Sequence, residues 1–278
     1  MIDLHTHSTA SDGALSPAEL VAYAYNKGLS AIALTDHDTV AGIPAAVSAA
    51  SRIGGFELIP GIELSVESRG ETHVLGYFID ISSKALNGAL EEIRRVRIER
   101  GYKTAENLTA AGLPVTVEEA LEFSGGGAIA RVHFAKLLVK KGYCTTVEEA
   151  MREWLSPGKP GHSTMQAISA EEAVEIIRAA SGDAYIAHLH TTKMAPSELY
   201  EFLKRLKEVG LSGIECFYSE YTPEMTREYY SLAESLGLLC SGGTDFHGNN
   251  KPHIEIGTGC GNMRIGYEVL EQMRKKGA

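Results

Sequence analysis

The sequence predicts an α/β fold: a closed or distorted (β/α) barrel interrupted by a helical insertion. Three observations predict it. Short apolar runs alternate with helical stretches toward both ends of the chain, the pattern of parallel βα units. The polar residues suited to chemistry fall at the ends of these runs or just past them, where α/β barrels and open α/β sheets place their sites. Residues 84–165 break the alternation and read as helix almost throughout. A count of about seven strands fits a barrel better than a six-stranded doubly wound sheet.

In chain order, Ile2-Asp3-Leu4 is a short strand ending at His5. Ser16-Pro17-Ala18-Glu19 starts a helix, with Ser as cap, Pro at the first position and Glu three after the cap. That helix runs to about Lys27 and stops at Gly28. Ala31–Leu34 is a buried-type strand, followed by Thr35-Asp36-His37-Asp38-Thr39. A helix over about 41–51 precedes Gly54-Gly55, Phe56–Ile59 is a third strand with Glu63 just beyond it, and Thr72–Phe78 is a fourth.

The insertion opens with a long amphipathic helix from Leu86 to Ala111, with Arg and Glu assigned to its outer face. Capping boxes follow at Thr116-Val117-Glu118-Glu119 and Thr146-Val147-Glu148-Glu149. Between them a helix spans Arg131–Lys141, and Pro157–Gly161 is a rigid connector. The alternation then resumes. Ser169 caps a helix, Asp183–Ala187 is a strand ending at His188, and a helix covers about 196–209. Gly213–Cys216 is a strand, Thr222-Pro223 starts a helix, Leu238–Ser241 is a strand leading to Asp245-Phe246-His247, and the last helix lies at about 265–275. The expected organisation is a barrel from 1–83 and 166–278, with 84–165 as a helical cap over the substrate.

Hydrophobic content of 44% and charged content of 22% are ordinary for a globular protein. No apolar run approaches the roughly 18 residues that span a bilayer. The chain opens Met1-Ile2-Asp3 without a basic or apolar leader, and Cys144, Cys216, Cys240 and Cys260 form no C-x-x-C pair. Both point to a cytoplasmic protein with reduced thiols. A net charge of −10 argues against a surface for long nucleic acid, and without a spanning run no membrane partner is expected. It leaves room for a small anion, because bound divalent ions reverse the sign locally.

The informative residues are His5, His7, Asp12, His37, Glu63, His73, His188, Asp245 and His247, collected from seven separate places in the chain. Imidazole and carboxylate donors without thiolates suit Zn, Mn or Fe. Nine donors exceed one ion, and at roughly four to six per ion they suit about two or three divalent ions. Such ions lower the pKa of a shared water, making a hydroxide nucleophile, and take charge from phosphoryl oxygens. No serine or cysteine nucleophile is then needed, and the chain carries neither a G-x-S-x-G elbow nor a P-loop.

Together His5-x-His7, Thr35-Asp36-His37, Gly61-Ile62-Glu63, His73, Ala187-His188 and Asp245-Phe246-His247-Gly248 resemble the ordered motifs of the PHP (polymerase and histidinol phosphatase) domain. The resemblance covers residues 2–80 and 165–250. It implies a distorted seven-stranded barrel, (β/α)7, with a trinuclear site. One ion would take His5, His7, Glu63 and Asp245, a second Glu63, His73 and His188, and a third Asp12, His37 and His247. His5, His7, Glu63, Asp245 and His247 are read as the catalytic set. The insertion carrying Arg131-Val132-His133 resembles the stand-alone branch, which includes nucleoside 3′,5′-bisphosphate phosphatases and 5′-to-3′ exonucleases on short RNA. Leu189 departs from the proline common at that position, and Tyr221 from a frequent histidine.

The expected activity is metal-dependent hydrolysis of a phosphate ester on a small nucleotide or short oligonucleotide. Arg131, His133, His190 and Tyr218 are the expected substrate contacts, and Asp36 is expected to orient His37. The rival readings are a histidinol-phosphate or other small-monoester phosphatase, a non-catalytic metal-binding accessory module, and an amidohydrolase-like C–N hydrolase.

Overall fold

A computed structural model of the protein describes residues 1–66, 70–124, 129–163, 168–261 and 263–276. The expected boundary at 165/166 lies outside the described residues. Seven strands form one sheet in which neighbours follow chain order. They are β1 (Ile2–Thr6), β2 (Ala31–Leu34), β3 (Glu57–Val66), β4 (Thr72–Tyr77), β5 (Asp183–Ile186), β6 (Gly213–Tyr218) and β7 (Leu239–Gly243). The segment after β7 returns to β1, where Asp245 N–H donates to His5 O and His7 N–H to Phe246 O, both at 2.9 Å. The sheet is thereby a nearly closed barrel, the distorted α/β architecture expected.

Two expectations about the strands need correction. β3 does not stop at Ile59 but continues to Val66, so Glu63 sits inside a strand rather than beyond one. Residues 57–60 of β3 pair with β2, and residues 61–66 pair with β4. Pro60, which has no N–H to give, stands where the strand changes partner. Gly61 follows because a Cβ there would lie 2.9 Å from Gly76 O. Secondly, β4 is antiparallel to both β3 and β5, while the other pairs are parallel. The start of β4 therefore lies at the same mouth as the ends of the other strands. His73 reaches the site from a strand beginning.

Helices α1 (Pro17–Asn26), α2 (Ile43–Ala50), α7 (Ala170–Ala179), α8 (Pro196–Glu208) and α9 (Pro223–Leu236) cover the barrel. α10 (Tyr267–Lys276) packs beside β7. The expected capping boxes at Ser16–Glu19, Thr116–Glu119 and Ser169–Glu172 form with both hydrogen bonds, whereas at Thr146–Glu149 only the threonine cap forms and Glu149 turns to Thr145 instead. Between β4 and β5 come α3 (Lys84–Ala110), α4 (Val117–Leu121), α5 (Arg131–Lys140) and α6 (Val147–Ala150), which runs into a π turn at Met151–Leu155. These bury their own apolar cluster, including Leu108, Val117, Phe134, Leu138 and Leu155. Among the described residues no helix is long and apolar enough to cross a membrane.

The outer face assigned to the arginines of α3 holds for Arg95, which is exposed and pairs with Glu92 and Glu99. It fails for Arg97, which turns inward and pairs with Asp38. The expectation of four reduced thiols also fails. Cys216 and Cys240, on neighbouring strands with Cα atoms 5.4 Å apart, form a disulfide, while Cys144 and Cys260 are free.

Asp3 seals the barrel. Fully buried, it accepts from Thr244 N (2.9 Å), Thr244 Oγ1 (2.6 Å) and Gly257 N (2.8 Å), tying β1 to the chain after β7. Burial raises its pKa, and those hydrogen bonds work in the opposite direction. An Asp3→Ala change strands these donors at about 1–3 kcal/mol each. The expected loss of about 3 kcal/mol or more is a fall in Tm of roughly 6–12 °C, measured by thermal unfolding of ion-free protein.

Candidate metal centre

The site is built around one carboxylate. Glu63 is fully buried in β3. Its Oε2 lies 3.2 Å from both His5 Nε2 and His7 Nε2 and 3.1 Å from His37 Nδ1. Its Oε1 lies 2.8 Å from His73 Nδ1 and 3.0 Å from His188 Nε2. His5 lies in β1 and His7 just past its end, held there by its N–H bond to Phe246 O, so that both rings reach Glu63. Gly243 lets β7 close against them, since a Cβ there would sit 2.3 Å from His5 N.

Asp245 Oδ1 supplies the second focus, 3.1 Å from His7 Nε2, 3.6 Å from His5 Nε2 and 3.3 Å from His247 Nδ1. Asp245 holds φ +58, a conformation that residues with a Cβ seldom adopt. Asp12 Oδ1 is 3.1 Å from His247 Nε2 and 3.9 Å from His7 Nδ1. All nine expected ligands are thus brought together.

Among the described residues three groups have donor atoms mutually within 4.8 Å: His5, His7, Glu63 and Asp245; His7, Asp12, His37 and His247; and His37, Glu63 and His73; His188 is in none of them and joins through Glu63 Oε1. His7 and His37 sit at the seams, each within reach of two groups, which the division drawn from the sequence does not anticipate.

The residues fit metal ions. His5 Nε2, both ring nitrogens of His7, His37 Nδ1 and Glu63 Oε2 are buried and make no hydrogen bond. Orphaned polar atoms cost about 1–3 kcal/mol each, and here they converge. A divalent cation satisfies lone pairs that cannot satisfy one another. The electrostatics agree. Burial alone would raise the Glu63 carboxyl, but His37, His5 and His73 outweigh it and hold it well below the usual range. Burial likewise opposes protonation of His7, yet Asp245 and Glu63 raise it to about 9. His37 is driven well below its usual value by burial.

Outer partners orient the ligands. His188 Nδ1 is 2.8 Å from Thr191 Oγ1, and His247 Nδ1 is 2.8 Å from Asp245 O. Tyr218 OH donates to Asp245 Oδ2 at 3.0 Å, and Lys251 Nζ donates to the same oxygen at 2.6 Å. Tyr218, expected at the substrate, is therefore buried and engaged by a ligand. Asp36 does not reach His37 in any hydrogen bond. Its carboxylate accepts from Ser8 N (2.7 Å), Ser8 Oγ (2.7 Å) and Ser11 Oγ (2.6 Å), so it shapes the turn that carries Asp12.

A cleft of about 270 Å³ opens beside the ligands, lined by Asp12, His37 and His73 and also by Arg97, Arg100 and Arg131. His133 also lines it, buried, with Nδ1 accepting from Ala130 N at 3.0 Å. His190 sits apart, its ring 5.5 Å from Tyr218 and Nε2 3.3 Å from Glu220.

Arg97, Arg100 and Lys251 escape the sequence reading. The first two share the stripe of α3 that carries buried Gly101, Thr104 and Leu108, so helical spacing contains the signal. Lys251 is folded back by the 3₁₀ turn at Gly248–Asn250, which no periodicity announces.

Residues 3–243 match the PHP domain. The chain belongs to the PHP family. It is 36% identical to the 5′-3′ exoribonuclease Rnm of Salmonella typhimurium over 257 residues, 92% of this chain and 87% of that one. It is 34% identical to the 3′,5′-nucleoside bisphosphate phosphatase of Chromobacterium violaceum over 258 residues, 92% and 90% of the two chains. A structure from Bifidobacterium adolescentis, described as a metal-dependent phosphoesterase, superposes with a TM-score of 0.87 at 26% identity, covering 100% of this chain and 96% of that one. The protein is a metal-dependent phosphoesterase of this family.

Because five imidazoles face the two oxygens of Glu63, Glu63→Ala is expected to release more than one ion per chain, and His73→Ala at most one. Elemental analysis of the reloaded proteins distinguishes them; equal loss in both would show that Glu63 does not bridge.

Proposed function

We propose that the protein hydrolyses the 3′-phosphate of nucleoside 3′,5′-bisphosphates, the 5′ ends of short oligonucleotides, or both. The observation that carries this reading is the mixed lining of one cleft: metal-ligand side chains together with three guanidinium groups. A substrate with two phosphates fits such a cleft, one at the ions and one at the arginines. The 5′-terminal nucleotide of a short RNA offers the same pair, a terminal phosphate and the phosphodiester 3′ to it. The named activities of the bisphosphate phosphatase and exoribonuclease relatives support this choice. The net charge of −10 argues against holding long nucleic acid.

His5, His7, Asp12, His37, Glu63, His73, His188, Asp245 and His247 would hold two or three divalent ions, and Mn, Fe and Zn suit the donor set. When bound, the ions supply Lewis acidity toward phosphoryl oxygens and acidify a water that can attack phosphorus. The chain's own residues do the rest. Segment 84–165 acts as the substrate cap. Arg131 opens α5, where the helix N-terminus adds favourable potential for an anion. Arg97 is anchored by Asp38 and by Ser65 Oγ at 3.0 Å. Burial, and then the like charges of Arg100 and Arg131, pull it down to about 9. It stays charged at pH 7 and is relieved by an anion placed between the three.

Burial lowers His133 to about 4, so it is neutral. With Nδ1 accepting from Ala130 N, its proton is on Nε2, available to donate. His190 and Tyr218 lie outside this cleft, His190 against Glu220 and Tyr218 on Asp245 Oδ2, so neither is assigned to the substrate.

Phosphate release from 3′,5′-bisphosphates, 2′-, 3′- and 5′-monophosphates, histidinol phosphate and short RNA, each with Mn, Zn or Fe, tests the reading. Loss of a bidentate Arg–phosphate contact costs about 1.5–3 kcal/mol. Arg131→Ala is therefore expected to raise KM for a bisphosphate roughly 10-fold or more and to change a 3′-monophosphate far less. Equal effects on both would remove the two-phosphate reading, and no release from any substrate would remove the phosphoesterase reading altogether.

A further inference from the structure

We propose that Glu215 and Tyr221 form a crosspiece that sets two metal ligands at once, His5 and His188, and that Glu215 can do so because it offers two acceptor oxygens and no donor. The inference rests on the reading of the converging residues as a metal centre, and it makes Glu215 and Tyr221 positioning residues.

Glu215 is fully buried in β6. It belongs to none of the three groups whose donor atoms converge. Its two oxygens are committed elsewhere. Oε1 meets His5 Nδ1 at 3.0 Å, and Oε2 accepts from the backbone N–H of His188 at 2.8 Å.

The first bond selects a tautomer. A carboxylate partner keeps the His5 proton on Nδ1 and leaves the lone pair on Nε2. Nε2 is the atom that faces Glu63 at 3.2 Å and Asp245 at 3.6 Å. The second bond acts on the backbone. His188 has φ +25 and ψ 61, outside the regions that residues with a Cβ readily occupy. That conformation turns the chain out of β5 while Nε2 points back at Glu63, 3.0 Å away.

Tyr221, in the turn between β6 and α9, holds the next residue of the same turn. Its OH accepts from Leu189 N at 2.7 Å and donates to Glu215 O at 3.3 Å. Two consecutive buried N–H groups therefore end on one pair of side chains, and Tyr221 is bonded back to Glu215 itself. The two departures noted in the sequence, Leu189 and Tyr221, are partners. A residue with an N–H at 189 needs an acceptor in this buried place, and the Tyr221 hydroxyl is that acceptor.

Glutamine is close to isosteric with glutamate but carries one acceptor and one donor. If the amide oxygen of Glu215→Gln faces His188 N–H, the NH₂ donates to His5 Nδ1 and moves the ring proton to Nε2, removing the ligand lone pair. If the amide is flipped, its NH₂ confronts the His188 N–H. One of the two ligands is mis-set in either orientation.

The test uses the full chain, stripped of ions and reloaded with Mn²⁺ or Zn²⁺. Affinity is read by competition with a chromophoric chelator, and ion-free unfolding is followed in parallel. The wild type is expected to bind, and Glu215→Gln to bind about 10–100-fold more weakly while still unfolding cooperatively without ions. A purely structural role would lower the ion-free unfolding midpoint and leave affinity alone. Wild-type affinity in Glu215→Gln overturns the proposal. Should that variant not fold, Tyr221→Phe decides: weaker binding supports the crosspiece, and unchanged affinity overturns it. A wild type that binds no ion overturns the metal reading beneath it, a different result from a variant that binds as well as the wild type.

Discussion

The molecule depends on a buried carboxylate surrounded by imidazoles. Glu63 has no exposure, and five histidines face its two oxygens. Such an arrangement is poor as a set of hydrogen bonds, because several ring nitrogens compete for two oxygens and leave lone pairs opposed. It becomes favourable when positive charge sits among them. The apolar packing outside the barrel and the hydrogen bonds of Asp3 hold together a centre that would otherwise spread. Stability and function are opposed here in the ion-free chain, a common situation for sites whose strain is relieved by a ligand.

The sheet topology makes this convergence possible. If β3 had stopped at Ile59, Glu63 would lie on a loop. By exchanging β2 for β4 at Pro60-Gly61, β3 carries Glu63 on a rigid strand into the middle of the mouth. The same exchange reverses β4 and delivers His73 from a strand start. Each ligand then rests on a strand or on a short segment tied to one, which holds positions more tightly than free loops would.

Much of this is legible in the sequence. His5, His37, His188 and Asp245 each follow a short apolar run, and that is local information. The α/β barrel follows from the same runs. The reversed direction of β4 is not legible, because strand direction is decided by which partner is chosen, and nothing near Thr72 states it. Arg97 is lost for another reason. Long basic side chains usually cover a solvent-facing stripe, and only the buried Gly101, Thr104 and Leu108 on its side of α3 reveal otherwise. Asp36 shows the limit of adjacency. It stands next to His37 in sequence, yet it serves Ser8 and Ser11 across the mouth. The pairing of Cys216 with Cys240 depends on strand neighbours 24 residues apart, which spacing alone cannot select.

The reversal of β4 also fixes the size of the segment that follows it. β4 ends at the closed floor of the barrel, where Ile79 N–H meets Pro60 O and Asp80 N–H meets Ala180 O. β5 must begin at that same floor. Anything inserted between them starts at the wrong end of the molecule to touch substrate. Six residues of β4 descend about 20 Å. Arg97 is thirteen residues into α3 from Lys84, and at 1.5 Å per residue it has climbed back by about 20 Å. The first half of α3 is therefore a ruler matched to barrel height. One residue added or removed before Arg97 would shift its side chain by about 1.5 Å and about 100°, taking it away from Asp38. The length of the first half of this helix is thus matched to the strand before it, and that match is what brings Arg97 to Asp38.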